Sequence, residues 1–136
     1  IEDSNKSNRY FGEVNVEKRE NTTWVESFDG RESYSYEYLG TSESGVHLIH
    51  FVSCGGGSGK FHYLLMLVLE ITDRLDFEIN KQSVVEQPTI RIVGRISLGD
   101  RYSGKLQFDK GVIRVPKHIG NMGESPINSN YSVIIR

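Results

Sequence analysis

The stretch Cys54–Lys60, CGGGSGK, combines consecutive glycines with a lysine, as phosphate-binding loops do. In a Walker loop the glycine N–H groups surround the phosphates, and a Ser or Thr after the lysine holds magnesium. This chain has Cys54 where that motif requires its first glycine and Phe61 where it requires the Ser or Thr. The sequence therefore argues against nucleotide binding and predicts that the stretch is the glycine-built turn of a β-hairpin.

A glycine-rich turn of this kind can still contact a partner. Its consecutive backbone N–H groups can bind an anion or a carboxylate, and the turn also carries the hydroxyl of Ser58 and the ammonium of Lys60. We therefore predict that Ser58, Gly59 and Lys60 bind a partner.

Two histidines and the single cysteine flank the same turn. A hairpin centred near Gly56 would set His50 opposite His62, with Cys54 further along the same face, and these side chains can bind zinc. Alternatives remain open. A one-residue slip would move His62 to the other face, and Cys54 could be a thiolate nucleophile beside a histidine. The histidines could also simply lie at the sheet surface or be satisfied by hydrogen bonds, and because this alternative is favoured we predict no metal and no cofactor. No oxyanion device or orienting third group accompanies them, so we predict no catalytic residue.

Tyr34, Tyr36 and Tyr38 alternate along one predicted strand and so share a face. Rows of tyrosines bind sugars or peptides, because each ring offers a rigid apolar surface with a polar tip. The same row could instead form one wall of the core. With the binding alternative, the predicted partner is a protein or a carbohydrate.

The elements that position these residues read as strands. Stretches rich in β-branched and aromatic residues recur about every ten residues between turn clusters, which predicts an all-β fold, an antiparallel β-sandwich or partly closed β-barrel with little helix. The predicted strands are Tyr10–Glu17, Thr22–Phe28, Ser33–Leu39, Val46–Ser53, Phe61–Ile71, Leu75–Ile79, Thr89–Leu98, Gly104–Phe108, Val112–Val115 and Tyr131–Arg136. Asp109, Lys110 and Gly111 predict a short hairpin loop between two of them.

The run Phe61–Ile71 is apolar at both its odd- and its even-numbered positions, so it fits either a buried helix or a central strand. Its strand neighbours favour a strand, and a strand apolar on both sides is expected to be covered on both. In Thr89–Leu98 the alternation predicts one apolar face, and Gly94 predicts a bulge within it. That face consists of Ile90, Ile92, Ile96 and Leu98.

Length and charge set outer bounds on the function. The 136 residues suit one β domain over residues 10–136, after a disordered or leader-proximal tail at residues 1–9. The net charge is −2 with scattered basic residues, which argues against nucleic acid, and no apolar run is long enough to span a membrane. The polar start without Met fits either a removed leader or an artificially trimmed chain, and the first alternative predicts a periplasmic or secreted protein. The lone cysteine leaves the redox compartment undecided, and the sequence leaves a homodimer open.

Several short segments also suggest a family. They are Leu39–Thr41 (LGT), Ser44–His47 (SGVH), Gly56–Phe61 (GGSGKF), Leu64–Leu65, Ser97–Arg101 (SLGDR) and Asp109–Ile113 (DKGVI). In these the chain resembles small uncharacterised bacterial exported proteins and lipoproteins over residues 39–115, a resemblance that implies export but no activity. The function predicted is therefore a non-enzymatic binding module, with a metal- or thiol-dependent enzyme as a weaker alternative.

A second resemblance is to periplasmic lysozyme inhibitors. It rests on the segment Ser58-Gly59-Lys60 near Tyr63, or on Ser103-Gly104-Lys105. It implies, as the named alternative function, a loop that enters the carboxylate-lined cleft of a lysozyme.

Overall fold

The computed structural model describes residues 14–19, 22–28, 30–78, 81–117 and 129–136, and these form nine strands without a helix. The predicted tail at residues 1–9 and most of the predicted loop Lys117–Asn130 lie outside this part. The strands are β1 Val14–Arg19, β2 Thr22–Phe28, β3 Ser33–Thr41, β4 His47–Cys54, β5 Phe61–Glu78, β6 Lys81–Asp100, β7 Gln107–Asp109, β8 Val112–Val115 and β9 Tyr131–Ile134.

The strands form two antiparallel sheets, as the all-β prediction required. β1 to β6 lie side by side in chain order, and β7 to β9 form a second, smaller sheet; the large sheet does not close into a barrel. Both sheets contribute to one buried core. The large sheet provides Leu48, Leu64 and Leu98, and the segment after it provides Tyr102, Leu106, Ile113 and Val115.

Side-chain alternation gives the large sheet two different faces. In β4 the side chains of Leu48, His50 and Val52 are buried while their neighbours are less so, the period of two that a half-covered strand requires. We call this side the core face, because the small sheet packs on it. The outer face bears Tyr36 and Phe51, which pair across β3 and β4, and no described strand packs against it.

The hairpin of β4 and β5 has a different register from the predicted one. His50 pairs with Leu64, and His62 pairs with Val52, so the partner of each β4 residue lies two positions further along β5 than expected. A shift of two preserves the face, since side chains alternate with period two. His50 and His62 therefore still lie on one face, as diagonal neighbours.

The hairpin of β7 and β8 confirms its prediction. Asp109 pairs with Val112, and the two residues between them, Lys110 and Gly111, have φ angles of 46° and 77°. Positive φ at both central positions is the type I′ geometry that suits the twist of a two-residue hairpin.

β5 and β6 are longer than the sequence predicted. Thr72–Arg74 looked like a break, and residues 81–88 were not predicted as a strand, yet the two strands pair without interruption from Ile71 and Pro88 to Glu78 and Lys81. β4 ends its pairing with β5 at Leu67. Residues Val68–Glu78 and Lys81–Arg91 therefore pair only with each other, and we call them the ribbon.

Gly94 marks a bulge, as predicted. Met66 pairs with Gly94, but the next residue, Leu67, pairs with Ile92, so Val93 is extra. A Cβ on Gly94 would lie 2.7 Å from Met66 Sδ, so a glycine fits beside Met66 at this bulge.

The bulge also corrects one prediction about the faces. An extra residue reverses the alternation beyond it. Ile96 and Leu98 therefore pack in or against the core, while Ile90 and Ile92 are exposed on the outer side. The expectation that β5 is covered on both faces is also wrong for the described part of the chain, because Leu69 and Ile71 are exposed.

A helix with the length and hydropathy to cross a lipid bilayer does not occur among the residues that the structure describes.

Candidate functional site

Two surfaces of the large sheet collect the predicted site residues. On the core face an open pocket of about 360 Å³ lies beside His50 and His62, and we call it the histidine pocket. Its wall combines residues of β1 to β5 with the segments that follow β4 and β6. Among its lining residues are Trp24, Glu26, His50, Cys54, Lys60, His62, Tyr102, Ser103 and Gly104.

The two histidines form a hydrogen-bonded pair. His50 Nε2 lies 2.9 Å from His62 Nδ1, so one ring donates a proton and the other accepts it. Trp24 contacts His50 edge-on at a centroid distance of 5.2 Å, and Tyr102 meets the same ring at 6.3 Å. Burial, with the neighbouring His62, lowers the pKa of His50 to about 4. At neutral pH His50 is therefore an uncharged, packed group.

Glu37 faces the same side of the sheet as His50 and pairs with it across β3 and β4. Its Oε2 lies 3.8 Å from His50 Nδ1, too far for a hydrogen bond, and the neutral histidine makes no ion pair with it. Burial raises the pKa of Glu37, against a hydrogen bond with Thr22 and the charge of Lys105, which both lower it.

Cys54 lines the pocket, and its thiol donates to the carbonyl oxygen of Gly57 at 3.3 Å. The zinc hypothesis needed Cys54 to join the two histidines at one ion. Over the described ranges no group of three or more His, Cys, Asp or Glu side chains is arranged to hold a metal ion.

Tyr102 is a pocket residue that the sequence analysis did not select. Its hydroxyl donates to the carbonyl oxygen of Pro116 at 2.6 Å, and burial raises its pKa to about 12. Glu37 was also missed, although its position between Tyr36 and Tyr38 carried a signal. A carboxylate that alternates with tyrosines must face the side opposite to theirs.

The predicted binding loop is anchored at the end of β6. The backbone N–H of Lys60 donates to Asp100 Oδ1, the N–H of Arg101 donates to the carbonyl of Lys60, and Arg101 Nη2 donates to the carbonyl of Ser58, each at 2.7 Å. Ser58 is exposed, and Lys60 lines the histidine pocket beside Ser103 and Gly104. Both Ser-Gly-Lys segments therefore contribute to the rim of one pocket.

The three predicted tyrosines lie together on the outer face of β3, and we call the surface formed by these three side chains the tyrosine face. Tyr36 and Tyr38 are exposed, while Tyr34 is half-buried and stacks on Phe51 at 6.1 Å with an interplanar angle of 17°. The hydroxyl of Tyr34 is hydrogen-bonded to Glu32, and that of Tyr38 to Thr41.

Aromatic contacts continue from the tyrosine face across the sheet. Phe51 lies 6.4 Å from Tyr63 on β5, and the guanidinium carbon of Arg95 on β6 lies 4.0 Å above the Tyr63 ring. These cation–π and ring contacts extend the surface over four strands. Sequence alternation alone marked Tyr34, Tyr36 and Tyr38, but strand pairing was needed to bring Phe51, Tyr63 and Arg95 beside them.

Comparison with known proteins gives no match: no family model, no curated protein and no solved structure is significantly similar to the chain. The resemblances to exported proteins and to lysozyme inhibitors therefore stay predictions.

Proposed function

We propose that this chain is a non-enzymatic binding module that engages its partner through the tyrosine face. The observation that carries the proposal is the exposure of Tyr36 and Tyr38 on a sheet face against which no described strand packs. Exposed tyrosines beside Tyr34, Phe51 and Tyr63 make a rigid, amphipathic surface, and such side chains contribute much of the affinity of binding sites.

The histidine pocket supports the same view from the opposite face. Its buried histidine, His50, is uncharged at neutral pH and is in contact with His62 and Trp24. A histidine held in this way stabilises the junction of β2, β4 and β5. We assign the histidine pair a structural role and the tyrosine face the binding role.

The partner class is a carbohydrate or a protein segment, and arrays of immobilised oligosaccharides and of peptides test both. We expect the protein to bind members of one array, and the double variant Tyr36→Ser/Tyr38→Ser to bind them about tenfold or more weakly, the loss typical of removed aromatic anchors. Because both rings are exposed, the variant should unfold at the same urea concentration as the wild type.

Ile134→Ser is the matched control, since Ile134 is also exposed but lies on β9 of the small sheet. It should leave the affinity unchanged. Failure of the wild type to bind either array, or equal binding by the tyrosine variant, would show that the tyrosine face is not the binding site.

A further inference from the structure

The ribbon presents an apolar face that nothing described in the chain covers. Six aliphatic side chains on it and at its base are between 57% and 71% exposed, as large hydrophobic residues on a solvated sheet face rarely are. They are Leu69, Ile71, Leu75, Val84, Ile90 and Ile92.

Strand pairing places these side chains on one face. Leu69 pairs with Ile90, Ile71 with Pro88, and Leu75 with Val84, and directly paired residues of antiparallel strands project to the same side. The ribbon is about 35 Å long at ~3.3 Å per residue, so the apolar face is an extended strip.

The opposite face of the ribbon is largely polar, and its side chains form ion pairs and hydrogen bonds with one another. Arg91 forms an ion pair with Glu70, Thr72 shares a hydrogen bond of 2.7 Å with Thr89, and Arg74 donates to Gln87 at 3.5 Å. The two faces therefore differ sharply: one bears cross-strand polar contacts, and the other exposes aliphatic side chains.

Two carboxylates interrupt the apolar strip at its middle. Asp73 pairs directly with Glu86, between the pairs Ile71–Pro88 and Leu75–Val84. Both side chains are exposed, and neither has an ion pair or hydrogen bond among the interactions of the described residues. Like charges directly opposite each other on a sheet destabilise the pair, so a cation between them would be favoured.

We propose that the apolar face of the ribbon docks a partner protein segment whose own apolar face carries a lysine or arginine at its centre. The basic group would lie between Asp73 and Glu86, and the aliphatic side chains on either side would pack against those of the ribbon. This surface goes beyond the proposed function, because it uses none of the residues of the tyrosine face.

The same two carboxylates disfavour the other occupants of an apolar strip. A symmetric second copy, packed face to face, would bring four carboxylates together, and like-charge repulsion opposes this strongly in a desolvated interface. A lipid surface would have to bury two carboxylates without a partner, and an anionic one would repel them. Only a segment with a central cation satisfies both the apolar strip and its charge.

The test uses two synthetic amphipathic helices of about 18 residues, long enough to be helical in solution. Each has one leucine face, with either a lysine or a glutamate at its centre. We expect the lysine peptide to bind the full chain about tenfold or more tightly than the glutamate peptide, as charge complementarity across an interface requires.

Three variants locate the interaction. Asp73→Asn/Glu86→Gln should abolish the preference for the lysine peptide, and Ile71→Ser/Val84→Ser should weaken binding of both peptides about tenfold. Asp76→Asn removes a carboxylate from the polar face of the same ribbon and should change neither. Circular dichroism of each variant checks that the fold is kept.

Several results would overturn the proposal. They are no binding of either peptide, equal affinity for both, or an unchanged preference in Asp73→Asn/Glu86→Gln. Binding to phosphatidylcholine vesicles containing phosphatidylglycerol that Ile71→Ser/Val84→Ser abolishes would assign the strip to a lipid surface instead. A dimer detected by sedimentation and lost in that same variant would assign it to a second copy.

Discussion

His50 is a buried histidine, and the folded chain favours its neutral form. Its ring packs against Trp24 and bonds to His62, and its pKa is about 4 in the folded chain. In the unfolded chain a histidine has a pKa near 6.5. The difference ties the stability of the protein to pH.

The direction in which pH changes the free energy of unfolding follows from whether the folded or the unfolded chain binds the proton first. As the pH falls below about 6.5 the unfolded chain protonates His50 while the folded chain does not, so the contribution present at neutral pH is lost between about pH 6.5 and pH 4. Between pH 7 and pH 4.5 the loss is about 2 kcal/mol. Urea unfolding at pH 7 and at pH 4.5, followed by the fluorescence of Trp24, the single tryptophan, measures it.

His50→Gln keeps a polar group beside His62 but removes the titrating ring. We expect its free energy of unfolding to fall less steeply between pH 7 and pH 4.5 than that of the wild type, whatever its value at pH 7. His47→Gln is the control, because His47 lies on the outer face, and it should keep the wild-type slope. A wild-type slope in His50→Gln would mean that another group carries the pH dependence.

The sequence predicted this site only as far as the alternation of side chains between the two faces of a strand could show it. Alternation placed His50 and His62 on one face, and an error of two residues in the register left that statement intact. Alternation could not indicate that Tyr102 and Trp24 would enclose His50, because those contacts come from segments distant in the chain.

At the scale of elements, the four glycines of Cys54–Lys60 do not contribute equally to the turn between β4 and β5. Gly56 has a φ of 81°, and a Cβ on it would lie 2.9 Å from the carbonyl oxygen of Arg31. Gly57 is not in the left-handed region, and a Cβ there would meet nothing within 4 Å. Glycine is therefore required at Gly56, whereas Gly55 and Gly57 have room for a side chain.

Gly56→Ala and Gly57→Ala form a matched pair on this turn. Gly56→Ala should reduce the free energy of unfolding by about 1–2 kcal/mol, because alanine is strained at positive φ and must displace backbone. Gly57→Ala should be neutral, or stabilise by a few tenths of a kcal/mol, since alanine restricts the unfolded chain more than glycine does. Equal effects in the two variants, measured by urea unfolding, would contradict this assignment.

Strand existence was easier to predict from the sequence than strand length. Thr22–Phe28 and Val112–Val115 were predicted with the bounds the structure has, because turn residues flank both. The bounds of β5 and β6 were not predicted correctly, since Thr72, Asp73 and Arg74 resemble a turn when considered without their pairing partners. Their strand conformation comes from pairing with residues 85–87, which is a non-local interaction.

For the whole molecule, one buried core joins sheets that have few other connections. Ile113, on the small sheet, is fully buried against residues such as Leu48 and Leu64 of the large sheet. Because each sheet covers the apolar face of the other, we expect neither to persist alone, and the two to unfold in a single transition.

Ile113→Ala tests this coupling at a distance. Truncating a fully buried isoleucine costs about 2–5 kcal/mol, through lost burial and the cavity that remains. If the sheets unfold together, Trp24 on β2 of the large sheet will report that whole loss as a lower urea midpoint, although Ile113 lies on β8. Ile134→Ala, at an exposed position of β9 in the same small sheet, should leave the midpoint unchanged. An unchanged Trp24 midpoint in Ile113→Ala, while circular dichroism shows an earlier loss of strand, would mean that the two sheets unfold independently.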